Sequence, residues 1–194
     1  MSILPMRCSE KLKVETKEVH RDTEILIVKR LSTINCINDY INLLKLFYGF
    51  FAPLEMQTRN YISEEILSDI RQRGNTKKII EDLTLIGGEK NIVLSSCLPQ
   101  VTNVLQAFGA MYVSEGSTLG GQIIARMLRE NKNIKISNEA LSFFEGYKEN
   151  TVKMWKSLQS HLDNRFQTDE QVREIALTAK ETFLTMKEWI IGYL

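Results

Sequence analysis

Apolar residues recur at three- and four-residue spacing along most of the chain, the pattern of helices that each bury one stripe. The spacing predicts helices over roughly 7–29, 35–51, 58–72, 76–87, 100–130, 138–164 and 169–192. Only Pro5, Pro53 and Pro99 interrupt the chain. Caps are expected at Asn75-Thr76 before KKIIEDL, at Ser137 before NEALSFF, and at Thr168-Asp169 before EQVREIAL. No stretch alternates with period two between tight-turn pairs, and the short IVLSS near Ile92 reads as the end of a loop. Without repeats or low-complexity tracts, the pattern predicts an all-α, single-domain helical bundle over residues 1–194.

Composition narrows the function classes. A net charge of +1 with 25% charged residues lacks the basic excess of a nucleic-acid binder and names no partner. The start MSILPMRCSEKLK has no apolar core with a small-residue cleavage site, and no run of membrane-spanning length follows, so a cytoplasmic protein without membrane attachment is expected. Cys8, Cys36 and Cys97 form no CxxC, which excludes a zinc ribbon, and no CxxCH, which excludes covalently attached haem.

The stretch GSTLGGQIIAR, Gly116 to Arg126, places three glycines inside a predicted helix. Each gives up about 1 kcal/mol relative to alanine, so together they forgo roughly 3 kcal/mol. A phosphate loop fails, because Gln122 and Ile123 follow Gly121 where lysine and a hydroxyl are needed. Two readings remain. Gly116 and Gly120 form a GxxxG face that packs closely on another helix, the commoner use, or they let a bare backbone lie against a flat ligand.

In LKVETKEVHRDTE, Lys13, Lys17, His20 and Glu24 follow at spacings of four, three and four, which aligns them on one helical face. Such a face suits haem: neutral imidazole ligates iron, ammonium groups meet propionates, and a carboxylate orients the ligand side. The ordinary alternative is an exposed histidine on a salt-bridged surface helix. His161, in KSLQSHLDNRF, reads as a surface or helix-end residue.

Taken together, LKVETKEVH and YVSEGSTLGGQ resemble the haem oxygenase family, in the form that accompanies bacteriophytochromes. GFFAPLE (Gly49 to Glu55) and AKETF (Ala179 to Phe183) extend the likeness in the expected order. The resemblance implies haem b as both substrate and cofactor, held between the first helix and a kinked, glycine-rich distal helix. It implies His20 as the iron ligand and Glu24 as its nearby carboxylate. Gly116 and Gly120 would let the distal backbone approach the haem, and Gly121 would ease the bend. Lys13, Lys17 and Lys180 would lie near the propionates. The implied reaction converts haem to biliverdin, CO and ferrous iron with O2 and electrons from a reductase or ferredoxin, and a monomer is allowed.

One departure stands out. Many members carry an aspartate after the first distal glycine, where this chain has Ser117. Its hydroxyl could order water near bound oxygen, yet a helical serine often just bonds its own backbone. Phe47, Tyr48, Phe50, Phe51, Met111, Tyr112, Trp155 and Trp189 fit core positions, with a pocket wall as their other use. A non-catalytic haem-binding or haem-sensing protein on the same fold is the competing function, and Ser117 is its motive.

Overall fold

A computed structural model describes residues 6–193. It contains six α-helices: α1 (Cys8–Ser32), α2 (Ile37–Arg59), α3 (Thr76–Leu85), α4 (Val104–Glu130), α5 (Thr151–Arg165) and α6 (Asp169–Gly192), with short 3-10 turns between them and no strand among the described residues. No helix among the described residues is long and apolar enough to cross a membrane.

The helix starts follow from local chemistry. Asp39 accepts hydrogen bonds from the free backbone N–H groups of Asn35 and Cys36 ahead of α2. Asn103 caps α4, its side-chain oxygen accepting from Leu105 and Gln106 at 2.9 and 3.0 Å. Thr168 caps α6 as its sequence predicts, accepting from the Gln171 N–H. Asn75 and Ser137 precede their elements without a side-chain cap bond.

Three expected helices are corrected. The helix expected to end at 51 continues through Pro53 to Arg59, and the segment expected as 58–72 is instead a set of turns with one 3-10 turn at Ile70–Gln72. Proline removes the N–H that would bond the carbonyl four residues earlier. Here that carbonyl, Gly49, accepts from the Ser95 N–H at 2.8 Å. The IVLSS loop thus repairs α2, and Gly49 admits it: a Cβ there would lie 2.5 Å from the Val93 carbonyl. The helix expected over 138–164 begins only at Thr151. Before it the chain turns through Gly146 and Lys148, both with positive φ, and Asp82 accepts from the Ser142 and Phe143 N–H groups and the Ser142 hydroxyl.

Helix α6 is the spine. It lies along both α1 and α4, while α2 covers α4 and α3, and α5 touches α1 and α4. The α4–α6 crossing is close because Gly109 has no side chain; a Cβ would meet the Ile175 carbonyl at 2.5 Å. Phe47, Phe50 and Phe51 pack with Phe144, Met186 and Ile190 in one buried cluster. Leu12, Phe108, Leu158, Ile175 and Phe183 fill another.

Candidate functional site

Helices α1 and α4 share α6 as a floor yet scarcely touch each other. Along α6, His20 packs on Phe183 with ring centroids 5.0 Å apart, and Asp22 accepts from Lys187 at 3.1 Å. On the other flank, Asn103 donates to Glu174 at 2.7 Å, and Gly109 meets Ile175 to Ala179. Residue numbers rise together on all three helices, so α1 and α4 run the same way. Tyr112 of α4 lies beside Thr16 of α1. One turn further along each helix stand His20 and Gly116, and the two helices scarcely touch there.

On α4 the glycines divide. A Cβ at Gly120 would meet nothing within 4 Å, and one at Gly116 would make ordinary contact with the Trp155 ring at 3.4 Å. Open space thus lies over Gly120, while Gly116 sits beside Trp155 of α5. Ile123 and Met127 continue the Gly116–Gly120 face and are exposed, an apolar surface at helical spacing. Gly121 serves packing instead, since a Cβ there would press into the Phe144 carbonyl at 2.6 Å. Helix α4 is unbroken across the glycines.

On α1 the His20 side chain is 51% exposed, and its Nε2 lies 3.3 Å from Glu24. One ring nitrogen thus has a carboxylate partner, and the other is left for a ligand. Lys13 and Lys17 are exposed on the same face, and Lys180 is exposed on α6 one turn before Phe183. None of the three pairs with a carboxylate among the described residues. The residue types present are those a flat apolar ligand with acidic substituents would need: an imidazole on α1, bare backbone with Ile123 and Met127 on α4, and ammonium groups on α1 and α6.

Ser117 takes the local role, its hydroxyl donating to the Ser114 carbonyl at 2.7 Å. Its side of α4 lines a cavity of about 50 Å³ to which α1 contributes no residue. Beside it lies a buried polar cluster that sequence reasoning missed. The Arg73 guanidinium, fully buried, donates to Glu115 at 2.6 Å, to both Asp69 oxygens at 2.7 Å and to the Met154 carbonyl at 3.1 Å. The Tyr147 hydroxyl donates to the second Glu115 oxygen at 2.7 Å and accepts from the Gly74 N–H at 3.2 Å. Burial holds the Glu115 carboxyl above its ordinary range, against the lowering by Arg73 and Tyr147. A signal was available: Glu115 shares the buried arc of α4 with Met111 and Thr118, where a charge demands a partner.

Other expected positions hold or move. Phe47, Phe50, Phe51, Met111 and Tyr112 are buried and Tyr48 is half-buried. Trp155 packs on Tyr112, and Trp189 donates to the Leu46 carbonyl at 2.8 Å. His161 stands near the C-terminal end of α5 but is half-buried rather than on the surface: it stacks on Phe108 at 5.3 Å, and its buried Nε2 has no partner among the described residues.

The heme oxygenase family model matches residues 6–191. A heme oxygenase of Xanthomonas campestris is 29% identical over 129 residues, 66% of this chain and 74% of that one. The NO- and CO-bound heme oxygenase of Neisseria meningitidis superposes with a TM-score of 0.79 at 20% identity, covering 97% of this chain and 92% of that one. The heme oxygenase of Leptospira interrogans gives 0.76 at 18% identity, covering 96% and 100%. Heme oxygenase-1 of the cyanobacterium Synechocystis, solved in complex with heme, gives 0.73 at 15% identity, covering 96% and 92%. A family model that spans nearly the whole chain shows that this protein belongs to the haem oxygenase family and is a haem-degrading enzyme with that family's all-α fold.

Proposed function

We propose that the cleft between α1 and α4 binds haem b and that the whole chain acts as one unit converting it to biliverdin, CO and ferrous iron. The observation that carries this reading is the placement of His20 and Gly116 one turn beyond the Thr16–Tyr112 contact, with open space over Gly120. The chemistry supplied by haem is activation of O2 at its iron, with the porphyrin as the substrate.

The chain's own residues divide the work. His20 holds iron as a neutral imidazole, and Glu24 bonds and orients that ring. Lys13, Lys17 and Lys180 offer ammonium groups to the propionates, which fixes the ring's rotation in the cleft. Gly116 and Gly120 would permit backbone contact with a porphyrin face and put neither an acid nor bulk there. Ile123 and Met127 cover apolar ring edge and exclude water. Gly121 keeps this wall in place by packing on Phe144.

Electrons come from a reductase or ferredoxin, and the lysine-bearing α1 face suits an acidic donor. The protein works in the cytoplasm. No observation among the described residues favours the non-catalytic alternative. Hemin titration of wild type and His20→Ala tests the assignment: wild type should give an imidazole-ligated spectrum that the variant loses, and an unchanged spectrum in the variant would remove His20 as the ligand.

A further inference from the structure

Helix α6 buries one side and leaves the other to solvent, and that outer side is not uniformly polar. Leu177, Leu184 and Ile191 recur at seven-residue spacing and are 58%, 40% and 53% exposed. They form one stripe about 21 Å long. The half-exposed Asp22–Lys187 pair bridges the outer seam between α1 and α6. Ile25, three residues beyond Asp22, and Val28 are exposed too, and they border the stripe from α1. Single exposed apolar side chains are ordinary, but five gathered on two neighbouring helices make a patch that monomers seldom show to water.

The charges beside the stripe are sorted. Glu174, Glu181 and Glu188 run along the edge of α6 away from α1, where Glu174 accepts from Asn103 and Glu188 from the Cys97 thiol. Arg173 and Lys187 run along the edge toward α1. Lys180 lies between them in the same row; it is the residue given above to a propionate, and the test below leaves it unchanged. This sorting selects the occupant. A membrane surface favours basic residues beside an apolar stripe and repels an acidic row. A foreign partner of one charge would match one edge and oppose the other. A second copy of this chain matches both. On two parallel α6 helices related by a twofold axis along their length, each residue comes level with itself, so Glu174 of one copy faces Arg173 of the other and Glu188 faces Lys187. An antiparallel pair would set acid on acid.

We propose that the outer face of α6 is a dimer interface on which a second copy of this chain packs in parallel, Leu177, Leu184 and Ile191 against their own counterparts, with Ile25 and Val28 of α1 at its border. The size is adequate. Helices of 25 and 24 residues lying side by side offer a face of about 35 by 20 Å, the scale of the roughly 800 Å² that each partner of a stable pair buries. The apolar stripe is its dry centre and the charged rows are its rim. His20, Gly116 and Gly120 lie off this face, so association and hemin binding are separate readouts.

The test is sedimentation of the full chain across the micromolar range, with and without hemin. Wild type should sediment as a dimer. Leu184→Asp and, separately, Leu177→Asp place a charge on the stripe twice, once from each copy, and each should weaken the pair roughly tenfold or more. Both side chains are exposed, so both variants should keep the wild-type circular dichroism and hemin titration. Glu181→Lys turns part of the acidic edge basic and should weaken the pair by a smaller factor. A wild-type chain that stays monomeric throughout, or a dimer that neither aspartate variant loosens, would overturn the proposal. A dimer loosened by aspartate but tightened or unchanged by Glu181→Lys would overturn the parallel arrangement.

Discussion

Replacing Gly120 by alanine should make the ligand-free protein more stable and the ligand-binding protein worse. The structure places nothing within 4 Å of a Cβ at this position, so the methyl group meets no resistance. A mid-helix glycine forgoes about 1 kcal/mol relative to alanine, and a chain of this length converts that into a rise of about 2–4 °C in melting temperature. On the proposed placement of haem, the same methyl projects between the α4 backbone and a haem face. Crowding of that kind costs about 1–3 kcal/mol, a loss of roughly tenfold to a hundredfold in hemin affinity or a changed distribution of biliverdin isomers. Gly121→Ala is the control. Its Cβ would lie 2.6 Å from the Phe144 carbonyl, which is backbone and cannot turn aside. That variant should lose about 1–3 kcal/mol of stability. Thermal denaturation of both ligand-free variants, followed by hemin titration and isomer analysis of Gly120→Ala, makes the measurement. A melting temperature that falls for Gly120→Ala, or hemin affinity and isomers that stay as in wild type, would refute the assignment of Gly120 to the cleft wall.

Other consequences are equally direct. Arg73→Met strands the buried Glu115 carboxylate and should cost about 3–5 kcal/mol in urea denaturation, most of it recovered by adding Glu115→Leu; equal stability of the single variant and wild type would show the pair to be dispensable. His161 has its pKa lowered from 6.5, first by burial and then by Arg165. A depressed base stabilises the fold above its ordinary pKa, and that contribution is lost as pH falls below it, so the wild-type melting temperature should drop between about pH 7 and about pH 5 and His161→Phe should flatten that drop. A parallel pH profile in the variant would remove His161 as the cause. Reversing charge at Lys13 and Lys17 should slow turnover with an acidic electron donor and reduce its salt dependence, with little change in melting temperature because both side chains are exposed. Turnover insensitive to the reversal would exclude that face as the docking surface.

The legible parts of the fold were those fixed locally. The periodicity of α1 and α6 and the Thr168 cap needed only neighbouring residues. What escaped depends on partners distant in sequence. Pro53 reads as an interruption, and nothing near it reveals that Ser95 will supply the bond to Gly49. NEALSFF reads as a helix start, but Asp82 of α3 holds the Ser142 and Phe143 N–H groups in a turn. At the site, the alignment of Lys13, Lys17, His20 and Glu24 and the glycine run were visible because helical spacing alone collects them. The three glycines could not be sorted by sequence, since Gly120 and Gly121 are adjacent and differ only in what lies opposite: open space for one, a backbone carbonyl for the other. The Arg73–Glu115–Tyr147 cluster joins three separate segments, so only the buried position of Glu115 hinted at it.

The most direct test of the central claim is a single turnover. The protein is loaded with hemin and given an electron donor in air with catalase present, and the Soret band and the pigment formed are followed. The account predicts loss of the Soret band with biliverdin appearing in step. A stable ferric or ferrous-oxy spectrum with no biliverdin, or no Soret shift on adding hemin, would contradict it.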